Sequence, residues 1–397
     1  MIESWRWYGP LDKIELSQIA QTGALGIVNA LHEIPYGEVW TEEAIAQRQK
    51  MIAGAGHGQK WHVVESLPIH ERIKRGEGDL SELFANYRQS MANLAAQGLT
   101  TICYNFMPLI DWTRTRLDHP LKNGGTSLRF EQVQICALEL FMLERDGAEK
   151  DFTPEIIAKA KAWFDASTED DRDALVAAIM AGLPGAYDRY TVASMKDALK
   201  LYDGIGRDEI RGNYARFLDE IIPAAQDLGM RFAVHPDDPP RDIFGLPRVV
   251  SNAEDIAWIF EQQKAVENGL TLCSGSLGAN PANNVPAIAR EFSERIHFVH
   301  LRNVAKDADG SFEEAAHLEG DTDMVELVSV LLGEETARKE EGRSDWELVW
   351  RPDHGHEILS DIGSGTHPGY PLIGRLRGLA EMRGVIKALS HKHVQFT

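Results

Sequence analysis

Short apolar runs alternate with longer amphipathic stretches along nearly the whole chain, and this alternation constrains the fold more than any other feature. The runs cover residues 4–8, 26–31, 61–67, 100–106, 231–235, 270–273, 297–301 and 347–350. Helical spacing fills 11–21, 41–51 and 80–97 between them. Asn252, with Glu254 and Asp255 in the first turn, reads as the cap of the helix after the fifth run. Gly98, Gly229 and Gly269 each precede a run and read as helix-to-strand junctions, where glycine takes the left-handed conformation at little cost. Eight strands, nearly all followed by helices, predict an α/β fold: a parallel (β/α)8 TIM barrel, as a single domain spanning 1–397. The rival, an open doubly wound sheet, lacks its glycine-rich phosphate turn after the first strand. Residues 108–206 break the alternation. They contain helical pieces at 153–164 and 170–180 and predict a helical insertion after strand four, of the kind that forms lids or dimer contacts. The charged cluster 334–343 reads as a solvated helix end.

Composition narrows the partners. Apolar residues make up 43% of the chain and charged residues 26%, ordinary for a globular protein. The formal net charge of −20 repels nucleic acid and anionic lipid. A small anionic substrate remains compatible, because a metal ion and one or two arginines supply local positive charge. Cys103, Cys136 and Cys273 are odd in number and widely spaced, which fits a reducing compartment rather than a disulfide framework. No apolar run approaches the roughly 18 residues of a membrane helix, and residues 1–5 lack a signal-peptide pattern. The expectation is a cytoplasmic enzyme with a small-molecule substrate, no nucleic acid and no membrane.

Catalytic groups of parallel barrels sit at the C-terminal ends of the strands. Four metal-capable side chains stand at or just past the ends of four successive strands: His235, Cys273, His300 and Asp353. Neighbouring strands lie about 4.8 Å apart, so the four converge on one ion with bonds of roughly 2.0–2.3 Å. Each residue alone has a plainer reading, as a hydrogen-bonded histidine, an apolar filler or a helix cap. Four such coincidences on consecutive strands outweigh them. Cys103, inside strand four, and Cys136, on a helix, keep the plainer reading. Two imidazoles, a thiolate and a carboxylate are too soft for calcium or magnesium, leaving zinc, iron(II), manganese(II) and cobalt(II). Arg302, two residues past His300, is a candidate two-point grip on a carboxylate. Lys306 and Asn105 are further candidate substrate contacts. His354 is the candidate acid–base group; its alternative role is to orient Asp353.

These residues lie in motifs that resemble the mannonate dehydratases of hexuronate breakdown. The motifs run from Trp5-Arg6-Trp7-Tyr8-Gly9 and Val64-Glu65-Ser66-Leu67-Pro68 through Cys103-Tyr104-Asn105-Phe106-Met107-Pro108 and His235-Pro236-Asp237-Asp238-Pro239-Pro240. They end with Cys273-Ser274-Gly275, Phe298-Val299-His300-Leu301-Arg302-Asn303 and Arg351-Pro352-Asp353-His354-Gly355. The resemblance implies a xylose-isomerase-like barrel, one manganese(II) or iron(II) ion on the same four ligands, a homo-oligomer, and dehydration of D-mannonate to 2-dehydro-3-deoxy-D-gluconate. It also implies a tyrosine working with His354, matched here by Tyr370. The rival functions are a sugar isomerase or epimerase, or an endonuclease, on the same barrel, and a metal-binding protein without catalysis. The cysteine ligand disfavours the first group. The polar groups crowding the mouth disfavour the last.

Overall fold

The computed structural model describes residues 1–181 and 190–391. Residues 182–189, within the predicted insertion, and 392–397, at the end of the predicted domain, lie outside the described residues. Among the described residues the strands are β1 (Ile2–Arg6), β2 (Gly26–Asn29), β3 (Lys60–Glu65), β4 (Thr101–Tyr104), β5 (Arg116–Pro120), β6 (Thr126–Phe130), β7 (Arg231–Val234), β8 (Asn268–Cys273), β9 (Ile296–Leu301), β10 (Asn303–Lys306), β11 (Phe312–Ala315) and β12 (Val349–Pro352). Eight close a parallel barrel in the order β1-β12-β9-β8-β7-β4-β3-β2. Each expected apolar run overlaps one of the eight.

Side-chain alternation along the strands sorts residues between the two sides of the barrel wall. Val28, Val63, Cys103, Ala233, Phe298 and Val349 plug the interior. Ile27, Val64, Ile102, Phe232, Leu272, Val299 and Trp350 face the surrounding helices in a second, larger core. Burying each large aliphatic side chain contributes roughly 1.5–3 kcal/mol. Stepping two residues from the plug toward the C-terminal mouth lands on Glu65, Asn105, His235, His300 and Arg351, and the same step from Thr271 lands on Cys273. The apolar plug is therefore the floor on which the polar mouth stands.

Local signals hold in part. Thr41 caps Glu42–Gly54 by accepting from the Ala44 amide, and Asn252 caps Ala253–Gln262 by accepting from the Asp255 amide. Gly98 and Gly229 take positive φ, as helix ends require. Gly269 does not: it lies inside β8, where a Cβ would stand 2.2 Å from the His297 ring and 2.4 Å from the Arg295 carbonyl oxygen. Its reason is close approach between strands. The first helix begins at Leu16 rather than 11. The charged cluster at 334–343 is not simply solvated. Arg338 is buried, pairs with Glu334 at 2.6 Å, and donates to the carbonyls of Ser293 and Ile296 beneath β9.

The insertion is only partly helical. It holds the expected helices, Pro154–Ala166 and Glu169–Met180. It also contributes β5 and β6, which join β10 and β11 in a separate antiparallel sheet of order β10-β11-β6-β5. The β5–β6 connection turns at Asn123-Gly124, with Gly124 at φ 84 and the Leu121 amide donating to the Gly125 carbonyl at 2.8 Å. This sheet, built from insertions after the fourth and seventh barrel strands, stands beside the mouth.

Candidate active site

Three of the four expected ligands meet directly. Donor atoms of His235, Cys273 and His300 lie within 4.8 Å of one another. Register explains this: Cys273 is the partner of His300 across β8 and β9, and Arg351 is its partner across β12. His235 Nε2 and His300 Nδ1 face each other at 3.2 Å. His235 is held by its other nitrogen, with Nδ1 2.6 Å from the Pro236 carbonyl oxygen, whereas His300 Nε2 approaches Glu65 Oε1 to 3.3 Å outside hydrogen-bond geometry. Backing of the kind His235 has is what orients ligating imidazoles. Asp353, the fourth expected ligand, stands just past β12 with Oδ2 3.8 Å from Cys273 Sγ, outside the converging trio. Its Oδ1 accepts from Arg351 at 2.6 Å and from the Tyr370 hydroxyl at 3.1 Å.

The electrostatics favour a thiolate. Burial alone raises the Cys273 thiol, but His235, His300 and Arg302 outweigh it and hold it well below the ordinary range. Burial likewise opposes charge on His235, yet the Cys273 thiolate and Asp353 raise it to about 9. A thiolate, two imidazoles and a carboxylate would suit one borderline divalent ion, which would compete with the proton on His235.

The substrate-side residues separate. Arg302 is buried and lines the cavity. Its Nε donates to Glu314 at 2.8 Å, and its Nη1 donates to Asp238 at 2.8 Å and Asp353 at 3.3 Å. Only Nη2 is without a partner, so the fork expected from the sequence is reduced to one free nitrogen. Asn105 lines the same cavity. Lys306 does not; it sits on β10 and pairs with Asp321 at 2.8 Å. His354 and Tyr370 line the cavity with their rings edge-on, 5.1 Å between centroids. His354 Nδ1 is 2.9 Å from Glu314 Oε1, while Nε2 lies 4.0 Å from Asp353. Burial, then Asp353 and Tyr8, raise the Tyr370 phenol well above its usual range and keep it protonated.

Several site residues escaped the sequence reading. Glu65 and Arg351 pair at 2.8 Å beside the ligands. A signal existed for both: a charge inside the apolar run 61–67, and an arginine two residues before Asp353. Arg6 and Tyr8 alternate inward along the first run. Glu314 had no local signal, because the β10–β11 hairpin delivers it from outside the barrel. Trp112 and Arg114 arrive from the insertion; Arg114 pairs with both Asp238 and Glu314.

Comparison with known proteins agrees with this geometry. The family described as D-mannonate dehydratase (UxuA) matches residues 1–396. The mannonate dehydratase of Chromohalobacter salexigens is 49% identical over 98% of this chain and 99% of its own length. That of Rhizobium meliloti is 46% identical over 98% of both. The crystal structure of mannonate dehydratase from Streptococcus suis superposes with a TM-score of 0.76 at 32% identity, covering 98% of this chain and 95% of that one. The chain belongs to the D-mannonate dehydratase family.

Proposed function

We infer that the chain is a hydro-lyase that removes water from D-mannonate to give 2-dehydro-3-deoxy-D-gluconate. The observation that carries the reading is two proton-carrying groups, His354 and Tyr370, meeting edge-on beside Asp353 and the thiolate–imidazole set. Whole-chain likeness to proteins named mannonate dehydratase supports it.

Abstraction of the C2 proton places negative charge on the carboxylate, and loss of the C3 hydroxyl needs a proton. His235, Cys273, His300 and Asp353 would hold a manganese(II) or iron(II) ion, which supplies positive charge where that charge develops. Arg302 adds its free Nη2 on the same side. Tyr370, held protonated, suits the donor to the departing C3 oxygen. His354, fixed at Nδ1 by Glu314, presents Nε2 as the base for the C2 proton. The C2–H and C3–O bonds break, water leaves, and the enol becomes the 2-keto acid. The same proposal takes a homo-oligomer as the assembly and the cytoplasm as the compartment. The three cysteines, all free and buried, suit a reducing compartment, and among the described residues no helix is long and apolar enough to cross a membrane.

The test is an assay of purified protein with manganese(II) and D-mannonate, reading 2-keto-3-deoxy acid. The reading requires metal-dependent keto acid. A rearranged sugar acid still bearing its C3 oxygen would indicate an isomerase or epimerase, and no conversion would remove the activity.

A further inference from the structure

Arg6 ends β1 and lines the cavity, yet the mechanism above leaves it idle. It is 4% exposed. Its Nη2 donates to His32 Nε2 at 2.8 Å, and its guanidinium lies 4.8 Å from the centre of the Tyr8 ring. Its Nη1 is buried without a partner. Arg302 and Arg351, which line the same cavity, and Arg114, which shares their carboxylate partners, each pair with at least two carboxylates. Arg6 forms no ion pair with any described carboxylate, and Glu65 is already engaged by Arg351 through two bonds, at 3.0 and 2.8 Å. A buried donor left unmatched costs stability, so a cavity-lining nitrogen in this state is matched to a ligand.

The barrel order fixes where that ligand atom lies. β1 is four places from β7 and β2 is four places from β8, half-way round the eight strands. Arg6 and His32 therefore stand across the mouth from His235 and Cys273. β12, which leads to His354 and Tyr370, borders β1, and Tyr370 meets Tyr8 edge-on at 5.1 Å, so these two groups lie between the ion ligands of β7 and β8 and Arg6. The substrate carboxylate stays with the ion ligands, and C2 and C3 stay with His354 and Tyr370. The remaining carbons, each bond about 1.5 Å long, extend toward the opposite wall. That wall offers donors. His32 accepts from Arg6 at Nε2, so its hydrogen is on Nδ1; burial, Arg6 and Arg48 keep the ring neutral.

We propose that Arg6 and His32 form the subsite for the end of the substrate remote from the ion, taking the terminal hydroxyl oxygens of an open-chain six-carbon aldonate. The proposal rests on the dehydratase reading. It makes this pair the gauge of chain length: a shorter acid satisfies the ion side and leaves Arg6 unmatched.

Calorimetric titration of the manganese(II)-loaded protein tests it with two unreactive acids that lack the C3 hydroxyl. One is the 3-deoxy six-carbon aldonate and the other is its four-carbon counterpart, 2,4-dihydroxybutanoate. Wild type should bind the six-carbon acid about tenfold to a hundredfold more tightly, the scale of a hydrogen bond to a charged group. Arg6→Gln should lose most of that preference, and His32→Asn should lose a smaller part. Binding of the four-carbon acid reports an intact mouth. A preference that survives in Arg6→Gln overturns the proposal. So does an equal loss for both acids, which would place Arg6 on the carboxylate or in the scaffold. If Arg6→Gln does not fold, an unchanged preference in His32→Asn decides against the subsite. Turnover of D-mannonate is scored apart. A wild type that binds with the expected preference but forms no keto acid loses the activity and keeps the subsite.

Discussion

The two ends of β9 carry histidines three residues apart, and the structure uses them in opposite ways. His297, at the bottom, points outward into the helical layer. Its Nε2 lies 2.6 Å from the Val266 carbonyl oxygen, and Gly269 makes room for its ring. Burial, assisted by Arg338 and opposed by the Val266 bond, depresses it to about 3, so it is neutral at every physiological pH. His300, at the mouth, points inward to His235 and Glu65, and its neighbour His235 is raised to about 9. One residue type on one strand thus serves packing at one end and the proposed ion site at the other. An odd separation of three residues puts the two on opposite faces of the wall, and the end of the strand decides the chemistry.

The comparison can be broken from either end. The largest effect belongs to the mouth. His354→Asn at saturating manganese(II), with metal content measured in the same sample, should lower turnover by about 10²-fold or more while metal content and melting temperature stay near wild type. Recovery of near-normal turnover with excess metal would make His354 a support for Asp353 instead. At the bottom, Gly269→Ala drives a Cβ into the His297 ring and the Arg295 carbonyl. It should cost roughly 1–3 kcal/mol of stability and lower the melting temperature by several degrees, with metal affinity of the folded protein unchanged. An unaltered melt would mean the strands part without cost. The smallest effect is a slope. His297 sits at about 3 when folded against 6.5 when free. Above pH 6.5 it is neutral in both states and its full contribution is present. As pH falls from 6.5 toward 3 the unfolded chain takes the proton first, and stability is lost at up to about 1.4 kcal/mol per pH unit. Denaturant unfolding of wild type and His297→Gln between pH 7 and 5 should show a flatter dependence in the variant. Equal slopes would contradict a neutral, buried His297.

What the sequence made legible follows the same division. His235, Cys273, His300 and Asp353 were readable because each stands at or just past the end of its own strand, so a local pattern repeated four times locates one mouth. Asn105 follows the same rule. Lys306 does not, because the chain leaves the barrel after Leu301 and β10 joins the second sheet. The reduced fork of Arg302 was hidden for a related reason: Glu314 reaches it only when two distant insertions pair strands. β5 and β6 were missed although Asn123-Gly124 is a hairpin turn signal. β5 is exposed or half-buried throughout and β6 mixes polar with apolar residues, so neither shows the apolar run that marks the barrel. Gly269 was misread because a glycine before an apolar run looks the same whether it ends a helix or admits a neighbour's ring. Glu334 and Arg338 read as solvent-facing because charge alone does not reveal that an arginine has backbone carbonyls beneath β9 to satisfy it.

The central claim is that the mouth of this barrel holds one ion through the Cys273 thiolate. Substituting cobalt(II) for the native metal and recording the near-ultraviolet spectrum tests it directly, since thiolate coordination to cobalt(II) gives a sulfur-to-metal charge-transfer band. The account predicts that band at one cobalt per chain in wild type. It predicts its loss in Cys273→Ser, with metal affinity weakened by more than about a hundredfold, beyond the usual cost of losing a supporting residue. An unchanged band in the serine variant, or one bound cobalt without the band in wild type, would remove Cys273 from the site and contradict the account.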